Sequence, residues 1–159
     1  MPAYVALGSN LDDPAAQIEA AFVRLGGLPD TRLVLRSRLY RTRPLGPADQ
    51  PDFINAAAGL LTRLGPRKLF EALQQLEMNQ GRMPPVLRWG PRRIDLDLLL
   101  YGDERLDEPD LVIPHPGLTQ RNFVLYPLQD IAAELRIRGY GRIGDLAARA
   151  GSDGLAPYG

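Results

Sequence analysis

The chain contains no cysteine, and this absence excludes several kinds of chemistry. Without thiols there is no disulfide framework, no thiolate metal site and no cysteine nucleophile. Long hydrophobic runs are also missing, since the apolar stretch 98–101 is typical and a membrane-spanning helix needs roughly 20 residues. The first residues show no basic segment followed by a long apolar one, so we expect no secretory signal. We therefore expect a cytoplasmic protein that has no membrane partner.

An excess of either charge is missing as well. The sequence has 19 basic and 19 acidic residues, which gives a formal net charge of zero at pH 7. A balanced chain lacks the global field that would attract nucleic acid or an anionic membrane. At 159 residues the length corresponds to about one domain, so we expect a single domain over 1–159 that acts as a monomer.

Several signatures of known enzyme classes do not occur in the sequence. There is no G-x-x-x-x-G-K-S/T motif, so the chain is not a P-loop kinase. There is no H-R-D or D-F-G motif of protein kinases and no G-x-S-x-G nucleophile. A site in this chain must therefore be built from other residues.

The apolar pattern predicts an α+β fold. Asp13 is a favourable N-cap with Pro14 at the first helical position, and Pro66 opens a second helical pattern. The predicted order β-α-β-β-α-β is that of a ferredoxin-like core, an antiparallel sheet with helices packed on it. Core strands are predicted over 3–7, 33–42, 52–62 and 94–101, and further elements are short strands at 111–113 and 123–125, a closing helix at 143–150 and a loose tail at 152–159.

Asp95 and Asp97 are the sharpest chemical signal. Alternation along a strand puts both carboxylates on one face, roughly 6.5–7 Å apart, while Ile94, Leu96, Leu98 and Leu100 face the core. Like charges so close repel unless a cation joins them. Paired oxygen ligands suit Mg²⁺, which keeps its waters and binds substrate phosphates. The alternative is a solvated strand face with two incidental aspartates.

The loop 82–93, directly before these aspartates, carries four arginines and no acid. Arginine forks match phosphate oxygens, and Trp89 can pack on a loop or a base. Arg82, Arg88 and Arg92 next to a Mg²⁺-type carboxylate pair favour a nucleotide-phosphate site. The alternatives are a solvated basic loop or an RNA-binding patch on a ferredoxin-like module.

Other candidates are less specific. His115, the only histidine, lies between two prolines and upstream of Arg121, so it is either a structural residue or a phosphate contact. Phe53 and Asn55 alternate onto one strand face, where an aromatic plate and an amide would suit a flat heterocycle. The alternative is a core phenylalanine and a surface asparagine. Glu77, in the last turn of the second helix, is expected on the surface.

Together these segments resemble the 6-hydroxymethyl-7,8-dihydropterin pyrophosphokinase family. The resemblance covers about residues 4–135, and the Arg-Trp-Gly-Pro-Arg-x-Ile-Asp-Leu-Asp stretch beside a Gly-Ser-Asn start and a Pro-His-Pro segment is highly specific. The segments that carry it are 4–11, 39–46, 49–56, 88–97, 113–116 and 121–125.

The resemblance implies transfer of pyrophosphate from MgATP to the hydroxymethyl group of a reduced pterin, with release of AMP. It implies that Asp95 and Asp97 hold two Mg²⁺ ions and that Phe53 and Phe123 sandwich the pterin. It further implies pterin contacts at Thr42, Pro44, Leu45 and Asn55, phosphate contacts at Arg82, Arg92, His115 and Arg121, and an ATP side that includes Gln74, Glu77, Arg88, Trp89 and Leu98.

Two positions depart from the family pattern. Pro84 stands where a second arginine is common, and Asp110 stands where some members have a basic residue. Pro84 removes one candidate phosphate contact, and Asp110 would disfavour phosphate near it. These departures leave a pterin-binding protein without activity as a further alternative.

Overall fold

The computed structural model describes residues 1–43, 50–81 and 93–158. Its helices and strands follow the predicted order, with additional short strands after the core. In chain order the elements are β1 (Pro2–Ser9), α1 (Pro14–Gly26), β2 (Thr31–Arg36), β3 (Tyr40–Thr42), β4 (Phe53–Thr62), α2 (Pro66–Asn79), β5 (Asp95–Tyr101), β6 (Leu106–Glu108), β7 (Leu111–Ile113), α3 (Asn122–Ala132), β8 (Arg136–Ile137), β9 (Gly141–Arg142), α4 (Ile143–Ala150) and β10 (Leu155–Pro157).

The main sheet has the antiparallel topology predicted for a ferredoxin-like core. Its order is β10-β3-β4-β1-β5, and β2 pairs with the other half of β4. The central pair is β1 with β4, where Val5 lies opposite Ala58. The core consists of two halves, β1-α1-β2 and β4-α2-β5, and their strands alternate across the sheet in the order β2-β4-β1-β5. The structure therefore confirms the predicted fold class.

Helices cover both faces of the sheet. The first core cluster joins α1 and α2 to the sheet face that carries Val5 and Leu7, and Phe22 is its largest fully buried side chain. The second cluster joins α3 and α4 to the opposite face, around Leu125 and Leu128. Asp13 caps α1 as predicted, with its carboxylate accepting from the Ala16 N–H at 3.4 Å.

A β-bulge in β5 changes which side chains share a face. Tyr4 pairs with Leu100 and Val5 pairs with Leu98, so Leu99 has no partner on β1. The extra residue changes which sheet face the side chains at the end of β5 point to. The prediction that Leu100 faces the same core as Leu96 and Leu98 is therefore wrong, because Leu100 lies in the second cluster.

The predicted strand 33–42 is interrupted at Ser37. The Ser37 hydroxyl accepts from the Ala57 N–H at 2.8 Å and donates to the Arg38 carbonyl at 2.7 Å. A serine hydroxyl can take the place of a ladder partner in this way. The chain consequently pairs with β4 as two short strands, β2 and β3.

Two predictions for the last third of the chain are wrong. Residues 123–125 lie in α3 and not in a strand, because a short apolar run does not distinguish a strand from a buried helix. The tail is not loose, since β10 pairs with β3. The closing helix is confirmed as α4. No helix in the described ranges has the length and apolar character that crossing a membrane requires.

Candidate functional site

A cavity of about 380 Å³ opens at the end of the main sheet. Its walls come from the end of β1, the starts of β4 and β5, α2, the start of α3 and the segment after β7. Residues that are distant in the sequence therefore meet at one place. The lining residues are Ala6, Leu7, Gly8, Thr42, Arg43, Phe53, Asn55, Phe70, Gln74, Glu77, Asp95, Leu96, Asp97, His115, Arg121, Phe123 and Val124.

Most of the site residues expected from the sequence line this cavity. They share a position at the strand and helix ends that surround it, although they span the chain from β3 to α3. These residues are Thr42, Phe53, Asn55, Gln74, Glu77, Asp95, Asp97, His115, Arg121 and Phe123.

Among the candidates in the described ranges, Leu98 does not line the cavity. Leu98 is 3% exposed and packs in the first core cluster. Asp110, which departs from the family pattern, does not line the cavity either. Its carboxylate accepts a hydrogen bond from Arg67 at 2.8 Å, and this ion pair holds the pKa of Asp110 below its usual value. Six candidates lie outside the described residues: Pro44, Leu45, Arg82, Arg88, Trp89 and Arg92.

The two aspartates lie side by side in the cavity wall, as strand alternation predicts. Asp95 and Asp97 are half-buried, while Leu96 between them is buried on the other face. Their partners on β1 are small, with Gly8 opposite Asp95 and Ala6 opposite Asp97. Small neighbours leave room in front of the carboxylates for an ion and its ligands.

The donor set at the aspartates fits Mg²⁺. Within residues 1–43, 50–81 and 93–158 no cluster of three or more histidine, cysteine, aspartate or glutamate side chains forms a metal cage. Two carboxylates leave most positions on a bound ion to water and to phosphate oxygens, which is how Mg²⁺ is commonly held. An ion that requires an all-protein cage would fit poorly here.

Glu77 is buried and not on the surface, contrary to the sequence-based expectation. It is 5% exposed, and its Oε2 accepts from the Leu96 N–H at 2.6 Å. This hydrogen bond fixes α2 to the strand segment between Asp95 and Asp97. The signal was present in the sequence, because Glu77 follows Leu73 by four residues and so lies on the same buried helix face.

Asn55 is held by a buried hydrogen bond, and it lies across Gly8 from Asp95 on the same sheet. Its Nδ2 donates to Thr42 Oγ1 at 2.7 Å, across the pairing of β3 with β4. Gly8 lies behind the amide, where an added Cβ would be 3.0 Å from Asn55 Oδ1. The amide therefore keeps a defined orientation and presents its edge to the cavity beside Phe53.

His115 is fixed by its own backbone and by β5. Its backbone N–H donates to the Leu99 carbonyl at 3.0 Å, and its ring Nδ1 accepts from the Gly117 backbone N–H at 3.1 Å. Burial lowers the pKa of His115, the positive charge of Arg121 lowers it further, and Asp95 opposes the shift. A neutral ring whose Nδ1 is an acceptor carries its proton on Nε2. His115 can therefore donate a hydrogen bond to an anionic ligand.

The cavity also contains residues that the analysis of the sequence did not single out individually. Phe70, from α2, lines the cavity beside Gln74, and Arg43 lines it at the end of β3. Phe70 follows the buried Leu69 and so lies at the edge of the apolar helix stripe, which a core residue can also do. Periodicity alone therefore gave no functional signal for it.

Comparisons with known proteins agree on one family. Residues 4–133 match the family model described as 7,8-dihydro-6-hydroxymethylpterin-pyrophosphokinase (HPPK). The chain is 51% identical to the 2-amino-4-hydroxy-6-hydroxymethyldihydropteridine pyrophosphokinase of Pseudomonas aeruginosa, over 96% of this chain and 93% of that protein. It is 48% identical to the enzyme of the same name from Haemophilus influenzae, over 84% of this chain and 82% of that protein.

Solved structures show the same fold at low sequence identity. A crystal structure of Plasmodium falciparum HPPK-DHPS with SDX-DHP superposes with a TM-score of 0.68 at 16% identity, covering 93% of this chain and 43% of that chain. Another, with pteroate, gives a TM-score of 0.72 at 15% identity and covers 93% and 42%. This chain thus spans less than half the length of these proteins, and the likeness concerns the fold alone.

Proposed function

Because this chain belongs to the 7,8-dihydro-6-hydroxymethylpterin-pyrophosphokinase family, we infer that it transfers pyrophosphate from ATP to the hydroxymethyl group of 6-hydroxymethyl-7,8-dihydropterin. AMP is the other product, and the reaction is a step of folate biosynthesis. The enzyme is a diphosphotransferase, and ATP is its co-substrate. The region 1–159 acts as one catalytic unit.

The pterin binds at the wall formed by β3, β4 and the start of α3. Phe53 and Phe123 line this part of the cavity and offer aromatic faces to a flat ring. Asn55, oriented by Thr42, offers both an acceptor and a donor to the ring edge. Pro44 and Leu45, which follow β3 in the sequence, contribute further contacts.

The triphosphate binds on the side of the cavity formed by β5 and the segment after β7. His115 donates from Nε2, and the guanidinium of Arg121 supplies a fixed positive charge beside it. Asp95 and Asp97 would hold two Mg²⁺ ions, which would supply positive charge that neutralises the phosphates. Gln74 and Glu77 lie on the nucleotide side, joined by Arg82, Arg88, Trp89 and Arg92 from the preceding loop.

The reaction is an in-line displacement in which the pterin hydroxyl oxygen forms a bond to the β-phosphorus. The bond from that phosphorus to the α,β-bridging oxygen breaks, AMP leaves with that oxygen, and the hydroxyl proton passes to solvent. Little covalent chemistry falls to the protein, so catalysis rests on positioning and on charge neutralisation. The rigid anchoring of Asn55 and of the Asp95–Asp97 segment provides this positioning.

One observation carries the proposal: the carboxylate pair and the aromatic–amide wall line the same cavity. Asp95 and Asp97 supply a Mg²⁺-type ligand set, and Phe53, Asn55 and Phe123 supply a heterocycle site. An RNA-binding module has no need for such a pair of sites within one cavity.

The direct test is a nucleotide assay with protein, MgATP and 6-hydroxymethyl-7,8-dihydropterin, analysed by chromatography. We expect AMP that forms only when pterin is present, without ADP. Formation of ADP would mean a different reaction class. Binding of either substrate without turnover would indicate an inactive relative, and no binding of either would favour the RNA-binding alternative.

Asp97→Asn tests the carboxylate pair. We expect loss of most of kcat, on the order of a thousandfold, because an amide is a weak ligand for the ion that neutralises the phosphates. Asp103→Asn is the matched control, since Asp103 is an exposed residue in the turn after the same strand. Turnover of Asp97→Asn close to that of Asp103→Asn would contradict the metal assignment.

A further inference from the structure

Asn122 lies between two residues that line the cavity but directs its side chain elsewhere. Arg121 and Phe123 are both lining residues at the start of α3. The Asn122 Nδ2 donates to the Gly151 carbonyl at 3.0 Å and to the Asp153 carbonyl at 2.9 Å. One amide group thus ties the first turn of α3 to the chain that follows α4.

That chain continues directly to strand β3, which belongs to the same wall of the cavity as the start of α3. Strand β10 pairs with β3, with Leu155 opposite Thr42 and Ala156 opposite Arg41. The Arg43 N–H donates to the Gly154 carbonyl at 3.4 Å. The segment 151–158, which we call the C-terminal strap, therefore spans from the helix that carries Phe123 to the strand that carries Thr42.

The position of the C-terminal strap matters for only one of the two substrate walls. Among the described strands β10 pairs with β3 alone, and three strands of the sheet order separate β10 from β5. Its two ends lie beside Phe123 and beside Thr42, which orients Asn55. The strap thus ties the start of α3 to β3, whereas the hydrogen bonds from Tyr40 to Asp130 join the same two elements near the other end of the helix. It makes no strand pairing with β5, which carries the carboxylate pair.

We propose that Asn122 is a positioning residue for the pterin, acting through the C-terminal strap to hold Phe123 and Thr42 at a fixed separation. The proposal rests on the proposed function, since it assigns this wall to the pterin. A ring held between two aromatic faces and an amide edge tolerates little change in their spacing. Within the described structure the start of α3 has no side-chain cap, and the two hydrogen bonds of Asn122 tie this first turn to the strap.

Asn122→Ala is the first test, with both substrates varied in steady-state assays. We expect the KM for the pterin to rise about tenfold, as loss of one to two modest hydrogen bonds predicts, and the KM for ATP to change less than twofold. Asn122→Asp, which has the same shape but no donor, should be at least as impaired. Asn79→Ala, at the exposed end of α2, is the control and should change neither constant.

A second pair of variants tests whether the strap carries the effect. Along an antiparallel pair of strands, every second residue pair is hydrogen-bonded. In the pairing of β10 with β3, the backbone N–H groups of Arg43 and Tyr158 both donate to the opposite strand. Ala156 lies two residues from Tyr158 and therefore also occupies a hydrogen-bonded position. Ala156→Pro removes that donor, whereas Ala156→Thr keeps it. If Asn122 acts through the strap, Ala156→Pro should raise the pterin KM, and adding Asn122→Ala should raise it little further.

Pterin affinity measured by titration calorimetry separates this proposal from the proposed function. A wild-type protein that binds pterin but forms no AMP would overturn the function, and the affinities of wild type and Asn122→Ala would still decide the positioning role. Three results would each overturn the positioning role of Asn122. These are unchanged pterin affinity in Asn122→Ala, an equal rise in the KM values for pterin and ATP, and additive effects of Asn122→Ala and Ala156→Pro.

Discussion

Gly8 shows how a single missing side chain shapes the cavity. An alanine there would place its Cβ 3.0 Å from Asn55 Oδ1, on the β1 side of the amide, so the amide would have to shift from the position that its bond to Thr42 defines. We expect Gly8→Ala to raise the KM for the pterin about fivefold, because the displaced amide meets the ring edge less well. Gly65→Ala is the control, since no atom lies within 4 Å of its added Cβ. Equal pterin KM values for the two variants would show that the amide tolerates the shift.

His115 should make the stability of the fold depend on pH. Its pKa is lowered in the folded protein, chiefly by burial, so the unfolded chain binds a proton more readily than the folded one near and below pH 6.5. The stability associated with neutral His115 is therefore present above pH 6.5 and is lost as the pH falls through the folded pKa. In His115→Asn the side-chain amide could still accept from the Gly117 N–H, but it does not titrate.

We therefore expect His115→Asn to lose less stability than the wild type between pH 7.5 and pH 5. Urea unfolding of both proteins at the two pH values measures this difference, and the carboxylates common to both proteins cancel in the comparison. Parallel losses would show that His115 does not contribute to the acid sensitivity.

At the scale of secondary-structure elements, one buried hydrogen bond joins α2 to β5. Glu77→Ala would leave the buried Leu96 N–H without this acceptor, which costs about 1–3 kcal/mol. Glu77→Gln keeps an oxygen at the same place and should lose less. Glu71→Ala, exposed on the same helix, is the control. Urea unfolding measures the three free energies, and equal losses for Glu77→Ala and Glu71→Ala would contradict the role of this bond.

Helices α1, α2 and α4 and the core strands could be predicted because local signals agreed with the tertiary fold. Pro14 and Pro66 open α1 and α2, as their positions predict. The interruption at Ser37 and the bulge at Leu99 could not be predicted, because each depends on which strand lies alongside. The Leu99 bulge also has a consequence for the site, since its carbonyl accepts the His115 N–H.

At the scale of the whole molecule, the cavity joins elements from both halves of the chain, so ligands should stabilise the entire fold. We expect MgATP to raise the melting temperature, with a stabilisation of about 2.7 kcal/mol at a hundred times its Kd. Chelation of Mg²⁺ by EDTA should remove most of this shift, and Asp95→Asn should reduce it while preserving the shift caused by pterin. A shift by ATP that is insensitive to EDTA would contradict a metal-dependent nucleotide site.

The sequence by itself determined the fold class, the strand that presents Asp95 and Asp97, and the segments that identify the family. These properties follow from local periodicity and from residue types at fixed spacing, which do not depend on distant neighbours. The site candidates Phe53 and Asn55 follow from the same alternation.

Only the tertiary structure decided how these residues meet. Three contacts join positions that lie far apart in the sequence. They are the hydrogen bond from Leu96 to the buried Glu77, the hydrogen bond from Asn55 to Thr42, and the pairing of the C-terminal strap with β3. Strand pairing and the packing of helices on the sheet create these contacts, and a pattern within one segment contains no information about its partner in another. For that reason many residues of the candidate site could be selected from the sequence, whereas the contacts between them could not.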